Sequence, residues 1–287
     1  MIIVNIMGGL GNQFFTYATA YALSKKYNEE VVLDLQIYQT TYSLRKCQLE
    51  EYCIDFTKKV MSQSFGHNRV AVKVYRFVHD MILKNKYRVN YVDEIEHFSF
   101  QDIKVESGVN VCLRGYWQNY RYFDAVRNDL IRQFKPKSIS MEVQHAVSQV
   151  ESKGTVAVHI RRTDYKTYKG GKCLSIGYYM QAMTLMNEQL DYSPSFIVFT
   201  DDVPFCKQIF SEMPNVSYIG NIAKLSDIEE LYVMSHCDNL ILANSSFSWW
   251  AAYLSTKDNK IVVAPVVDFW KEDFYLPNWK KIDAELE

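Results

Sequence analysis

In the second half of the chain, short apolar runs alternate with longer stretches whose apolar positions recur every three or four residues. Residues 155–160, 195–200, 216–219, 239–242 and 261–264 are rich in Val, Ile, Leu and Phe, which predicts buried strands. Between them the helical period predicts helices at 175–190, 204–213, 227–237 and 246–255. Pro204 falls in a first helical turn after Asp202, and Ser226 with Glu229 makes a capping-box pattern. Strands separated by helices of this length imply right-handed βαβ units and a parallel sheet. The first half opens the same way. A strand at 2–6 runs into "MGGLGNQ", then a helix at 12–26 with Phe14, Tyr17, Ala18, Tyr21 and Ala22 on one face, then a strand at 31–35. Residues 37–105 show no sustained period and are expected to hold helices and loops. A further strand at 109–113 precedes "RGYWQNYRYF" and a helix to 134; "KPKS" reads as a loop, and a helix at 141–150 joins the halves. The expected architecture is α/β, with two Rossmann-like domains, 1–150 and 151–287, facing each other across a cleft.

Composition narrows the classes. A 287-residue chain with 48% hydrophobic and 23% charged residues can bury two ordinary cores. Its formal charge of -1 supplies no global field for nucleic acid, so an anion site has to be built locally. The aromatic fraction of 15%, with 21 tyrosines, suits sugar or base stacking and equally suits core packing. Cys47, Cys53, Cys112, Cys173, Cys206 and Cys237 form no C-x-x-C pair. They imply reduced thiols, a cytosolic setting and no zinc site. The first residues lack the basic and apolar regions of a signal peptide, and no apolar run approaches about 20 residues.

Ligands of parallel sheets bind beyond the carboxyl ends of the strands, so those residues carry the candidate chemistry. After the first strand, Gly8-Gly-Leu-Gly11-Asn12-Gln13 resembles a dinucleotide fingerprint, with Asp34 near the expected acidic position, but Phe14 stands where the third glycine belongs. Either the turn is simply tight, or it exposes helix N–H groups and the Asn12 amide to a ligand. "HIRRTD" ends a strand in Arg161 and Arg162, whose planar forks match phosphate oxygens; extended geometry sends them to opposite faces. Asp201 and Asp202 end another strand and allow a Mg²⁺ site, a helix cap or a ribose contact, of which the metal-free readings are favoured. Glu230 lies on the polar side of its helix and reads as a surface residue unless it meets two neighbouring guanine donors. "NSSFSWW" puts Ser245 and Ser246 at a helix start, as caps or as an anion cradle, with Trp249 and Trp250 as packing residues.

Together, "GGLGNQFFTYATAYALS", "GYWQNYRYF", "VAVHIRRTDY", "FTDD" and "ANSSFSWWAAYL" resemble the bacterial α-1,2-fucosyltransferases of glycosyltransferase family 11, in order and from residue 8 to 254. The resemblance implies a GT-B-like fold, transfer of L-fucose from GDP-β-L-fucose with inversion to the 2-hydroxyl of a terminal galactoside, and no metal or other cofactor. It places Arg161 on the β-phosphate and His159, Arg162, Asp201, Glu230, Asn244, Ser245, Ser246 and Phe247 around the donor. Asn12, Gln13, Tyr116, Trp117 and Gln118 fall on the acceptor side. Asp164 is the candidate base, with His97 and Asp34 as alternatives. The expected partners are GDP-fucose and a galactose-terminated glycan, and no nucleic acid. Lys and Arg residues interleaved with apolar ones over 69–88 leave two readings, a solvated helix or peripheral contact with the inner face of a bacterial membrane. Another fucose linkage or GDP-sugar, a nucleotide-dependent oxidoreductase and a non-catalytic glycan-binding protein are the rival functions.

Overall fold

The computed structural model describes residues 1–39, 45–56, 58–60, 69–151, 154–167, 171–268, 270 and 272–287. These form two compact units, Met1–Lys135 and Pro136–Glu287.

In the first unit the elements run β1 (Ile2–Asn5), α1 (Leu10–Tyr27), β2 (Val31–Asp34), β3 (Lys58–Val60), α2 (Arg69–Lys86), β4 (Val89–Asp93), β5 (Asn110–Arg114) and α3 (Arg127–Gln133). The strands pair in parallel, in the order β3-β2-β1-β5-β4. Ile3, Val32, Val89 and Cys112 make one core cluster across four of them. Fourteen of the eighteen residues of α1 are buried, so this helix is enclosed nearly all round and not by the single face that its spacing suggested. The stretch 37–105 contains two strands that the pattern did not reveal. β4 is an edge strand with only Val89 buried, so its sequence VNYVD lacks the apolar run or alternation of a covered strand. The helix expected up to residue 134 is instead two 3₁₀ turns, Tyr120–Tyr122 and Asp124–Val126, followed by α3. Asn119 starts the first turn by accepting from the Arg121 N–H at 3.0 Å.

The second unit contains α4 (Met141–Val150), β6 (Thr155–Ile160), α5 (Thr163–Thr167), α6 (Ile176–Gln189), β7 (Ser195–Thr200) and α7 (Val203–Ile209). It continues through β8 (Val216–Tyr218), α8 (Ile219–Ile222), α9 (Asp227–Met234), β9 (Asn239–Ile241), α10 (Ser246–Leu254), β10 (Val262–Val266) and β11 (Lys280–Asp283). All pairings are parallel, in the order β11-β10-β9-β6-β7-β8. Numbered within the unit, this is the doubly wound order 3-2-1-4-5-6 read from the other edge. Its switch point lies between β6 and β9. The unit begins at Pro136 and not at 151, because α4 is part of it. Val143, Ala146 and Val150 of α4 are buried, and the Glu142 carboxylate accepts from the Lys224 N–H at 2.9 Å.

Much of the aromatic content is spent on packing. Trp249 is fully buried, stacks on Tyr253 at 5.0 Å, contacts Phe274 and Trp279, and donates its indole N–H to the Phe274 carbonyl at 2.8 Å. This cluster fixes where α10 begins. Among the described residues, no helix is long and apolar enough to cross a membrane.

Candidate functional site

The two loops that carry the strongest sequence signals of the second unit meet at its switch point. β6 is buried along its whole length, and its last residue is followed by Arg161 and Arg162. The turn is held from β7. One Asp201 carboxylate oxygen accepts from the Arg162 N–H at 2.8 Å; the other accepts from the Thr163 N–H at 3.2 Å and its hydroxyl at 2.7 Å. From β9, the Asn244 carbonyl accepts from the Tyr165 hydroxyl at 2.8 Å. The two arginines part company, as alternation requires. The Arg162 guanidinium lies 3.4 Å from the centre of the Phe205 ring, with its Nε 3.5 Å from Asp202. Arg161 lies over the Tyr165 ring, at 5.9 Å, and acts electrostatically on Glu230.

Asp202 is the cap of α7, accepting from the Phe205 N–H, and Lys166 bonds to it at 2.9 Å. The Lys166 ammonium holds its carboxyl below the usual range. Asp201 and Asp202 are thus both engaged with the arginine loop. Among the described residues, no three His, Cys, Asp or Glu side chains gather as a metal site.

Across the switch point, Ser245 caps α10 by accepting from the Phe247 N–H at 3.3 Å. Ser246 is half-buried and no acidic residue sits in the first turn, so this helix end keeps its full positive character. His159, the penultimate residue of β6, is buried, and its ring lies 5.5 Å from that of Phe247. Glu230 is not the solvated residue that its helix face suggests. It is largely buried, and desolvation first, then the Asp227 charge, push its carboxyl up to about 7 against the opposing pull of Arg161. Ser226 and Glu229 form the capping box that their spacing predicts.

In the first unit, the loops after the adjacent strands β1 and β5 also meet. Gln118 donates its amide N–H to the Asn12 side-chain oxygen at 3.0 Å. Gln13 is buried and ties the glycine turn to the 46–48 segment: it donates to the Gly8 and Lys46 carbonyls and accepts from the Gln48 N–H. Trp117 is also fully buried, at a φ of 55°, so it anchors its loop. Tyr116 is half-buried beside it. Glu94, one residue past β4, accepts from the Tyr116 and Trp117 N–H groups, both at 2.9 Å. Gly115 permits this approach, since at its φ of 145° a Cβ would lie 2.4 Å from the Glu94 Cβ. The sequence offered no signal for Glu94, because β4 itself went unread. Tyr165 was likewise missed, its role set by a partner 79 positions away. The side chain of Asp164, on α5, lies outside the described residues.

The family model for glycosyl transferase family 11 matches residues 1–283. An alpha-1,2-colitosyltransferase of Escherichia coli is 30% identical over 95% of this chain and 94% of its own. The galactoside 2-alpha-L-fucosyltransferase Sec1 of Mus musculus is 24% identical over 100% of this chain and 75% of its own. Among solved structures, the fucosyltransferase NodZ from Bradyrhizobium shares the fold with a TM-score of 0.51, at 13% identity over 90% of this chain and 96% of that one.

Glu230 can be tested without any ligand. Its raised carboxyl pKa means that the folded chain keeps a proton which the unfolded chain releases between about pH 4.5 and 7. This stabilising contribution is complete below pH 4.5 and lost as pH rises through 7. Glu230→Gln removes the cost of ionising in place. Urea unfolding at pH 8 should show the variant more stable by about 1–3 kcal/mol, with the difference shrinking at pH 5. Equal stability at both pH values would show that Glu230 is solvated.

Proposed function

The chain belongs to glycosyl transferase family 11, and from that premise we propose that it transfers L-fucose from GDP-β-L-fucose, with inversion, to the 2-hydroxyl of a terminal galactoside, giving an α-1,2 linkage. The observation that carries this reading is the convergence of Arg161 and the α10 N-terminus at the β6/β9 switch point, where doubly wound sheets bind their nucleotides. Breaking the C1–O bond of the donor leaves positive character on the sugar and a growing charge on the β-phosphate. Arg161, the Ser246 hydroxyl and the positive N-terminal end of the α10 dipole meet that charge already in place, without reorganising. His159 and Phe247 lie on the nucleoside side, and ionised Glu230 accepts from guanine N1–H and its 2-amino group. Asp201 contributes by fixing the loop that carries Arg161. Positive charge supplied in this way leaves no step that calls for a metal. Asn12, Tyr116 and Gln118 are the acceptor-side groups. Colitose is the rival donor sugar, since an alpha-1,2-colitosyltransferase is 30% identical to this chain.

A peripheral contact with an anionic membrane fits α2. Val74, Phe77 and Met81 fall at helical spacing and are 57%, 71% and 47% exposed. Residues 69–86 carry five Lys or Arg against a single Asp in a chain of formal charge -1. Exposed apolar side chains flanked by local positive charge suit the boundary between anionic headgroups and acyl chains. This site would hold the enzyme on the cytoplasmic leaflet, where membrane-bound glycan acceptors would be within its reach.

Two experiments test these readings. Nucleoside diphosphate release is measured with GDP-fucose, GDP-colitose, GDP-mannose and UDP-galactose, with and without EDTA. GDP-fucose should be preferred and EDTA without effect, while Arg161→Ala keeps its fold and loses about 10²–10³-fold in rate. Preference for another donor removes the fucose assignment, and abolition by EDTA removes the metal-free mechanism. For α2, the protein should sediment with vesicles containing phosphatidylglycerol, less so in high salt, and not with phosphatidylcholine alone. Phe77→Glu should release it. Binding that is absent, or indifferent to this substitution, rules the contact out.

A further inference from the structure

We infer that His97 is the general base of the transfer reaction, taking the proton from the attacking acceptor hydroxyl, and that Glu94 is its positioning residue. This inference rests on the glycosyl-transfer reading above.

His97 lies in the loop that leaves the carboxyl end of β4, four residues past Asp93. Its Nδ1 is 2.8 Å from Glu94 Oε2. The Glu94 side chain is only 2% exposed and also accepts the Tyr116 and Trp117 N–H groups. An ionised carboxylate accepts and cannot donate, so the ring proton sits on Nδ1. The Nε2 lone pair therefore points away from Glu94, on a side chain that is 62% exposed. A buried carboxylate fixing the tautomer of an accessible imidazole is the arrangement that makes a histidine an oriented base.

The loop is braced in place. The Gln101 side chain accepts from the Ile95 N–H at 2.8 Å and donates to the Asp93 carbonyl at 3.0 Å. Asn119 donates to the Phe98 carbonyl at 2.9 Å, tying the loop to the segment that carries Tyr116 and Gln118. The Tyr116 ring lies 6.0 Å from the imidazole.

Asp34 fits the role less well. It is buried, accepts from Asn5 at 2.6 Å and from the Gln36 N–H at 3.1 Å, and lines a cavity of about 280 Å³ together with Tyr91 and Arg114. Its lone pairs already serve the fold.

In the step, the acceptor O–H proton passes to Nε2 while the oxygen forms its bond to C1 of the sugar. The bond from C1 to the β-phosphate oxygen breaks, and its electron pair leaves with GDP. The Glu94 carboxylate stabilises the imidazolium until water takes the proton.

The test is His97→Ala, an exposed position whose truncation should leave thermal unfolding unchanged. With saturating donor, turnover should fall about 10²–10⁴-fold, the GDP dissociation constant should stay at its wild-type value, and imidazole added to the buffer should restore part of the rate. A purely structural histidine gives no such rescue. Wild-type turnover in the variant, or a loss that imidazole does not relieve, overturns the inference while leaving the donor assignment standing. If the wild-type enzyme releases GDP from no GDP-sugar, the transferase reading fails and the base falls with it.

Discussion

One carboxylate placed just past a parallel strand holds the neighbouring strand's loop by two consecutive N–H groups, and each unit depends on that contact. In the second unit, Asp201 follows β7 by one residue and takes the N–H groups two and three residues past β6, those of Arg162 and Thr163. In the first unit, Glu94 follows β4 by one residue and takes the N–H groups two and three residues past β5, those of Tyr116 and Trp117. The strand ends are in register in both pairs, Ile160 beside Thr200 and Arg114 beside Asp93. A backbone turning out of a buried strand carries donors with no ladder partner, and one left unmet where it is buried costs about 1–3 kcal/mol. The carboxylate satisfies both at once, and the turn that results aims the side chains between them.

That contact explains how a fully buried strand can end in two arginines. Once Asp201 sets the turn, alternation sends Arg162 toward Phe205 and Asp202, where stacking and an ion pair receive its charge. Arg161 is sent the other way, toward Tyr165 and Glu230. Arg162 thus serves the loop, and on the proposed reading Arg161 meets the diphosphate. The two arginines at this strand end therefore stand in different surroundings, one against Phe205 and Asp202 and the other against Tyr165.

The second unit was legible in the sequence because its strands are covered on both faces. Thr155–Ile160 and Ser195–Thr200 stand where their apolar runs predict, and the capping box at Ser226 is where its spacing predicts. The first unit was legible only around β1, α1, β2 and β5. An edge strand such as β4 buries one residue of five and leaves no period to read, and the acidic residue that follows it then has no frame. Glu230 shows a different limit. Helical spacing puts it on the polar face of α9 with the solvated residues, and only the tertiary fold, which packs α9 on α4 and α10, brings it within reach of the Arg161 and Asp201 charges. Patterns of burial along a chain carry secondary structure well; the identity of a polar residue's neighbours is a tertiary fact.

The electrostatics of this corner favour an anion only after a proton is accounted for. Asp227 and Asp201 push the Glu230 carboxyl up, while Arg161 pulls it down. Three full negative charges there would oppose the attraction that Arg161 offers a diphosphate. Burial eases that conflict by raising the Glu230 carboxyl to about 7, so that it holds a proton more readily than an exposed glutamate. A guanine offering two adjacent N–H donors would favour the ionised carboxylate, so nucleotide binding on the proposed reading expels this proton and exchanges a desolvated charge for two hydrogen bonds. A base without paired donors offers no such exchange. On the proposed reading, the same burial that destabilises the fold at high pH would be a source of selectivity among nucleotides.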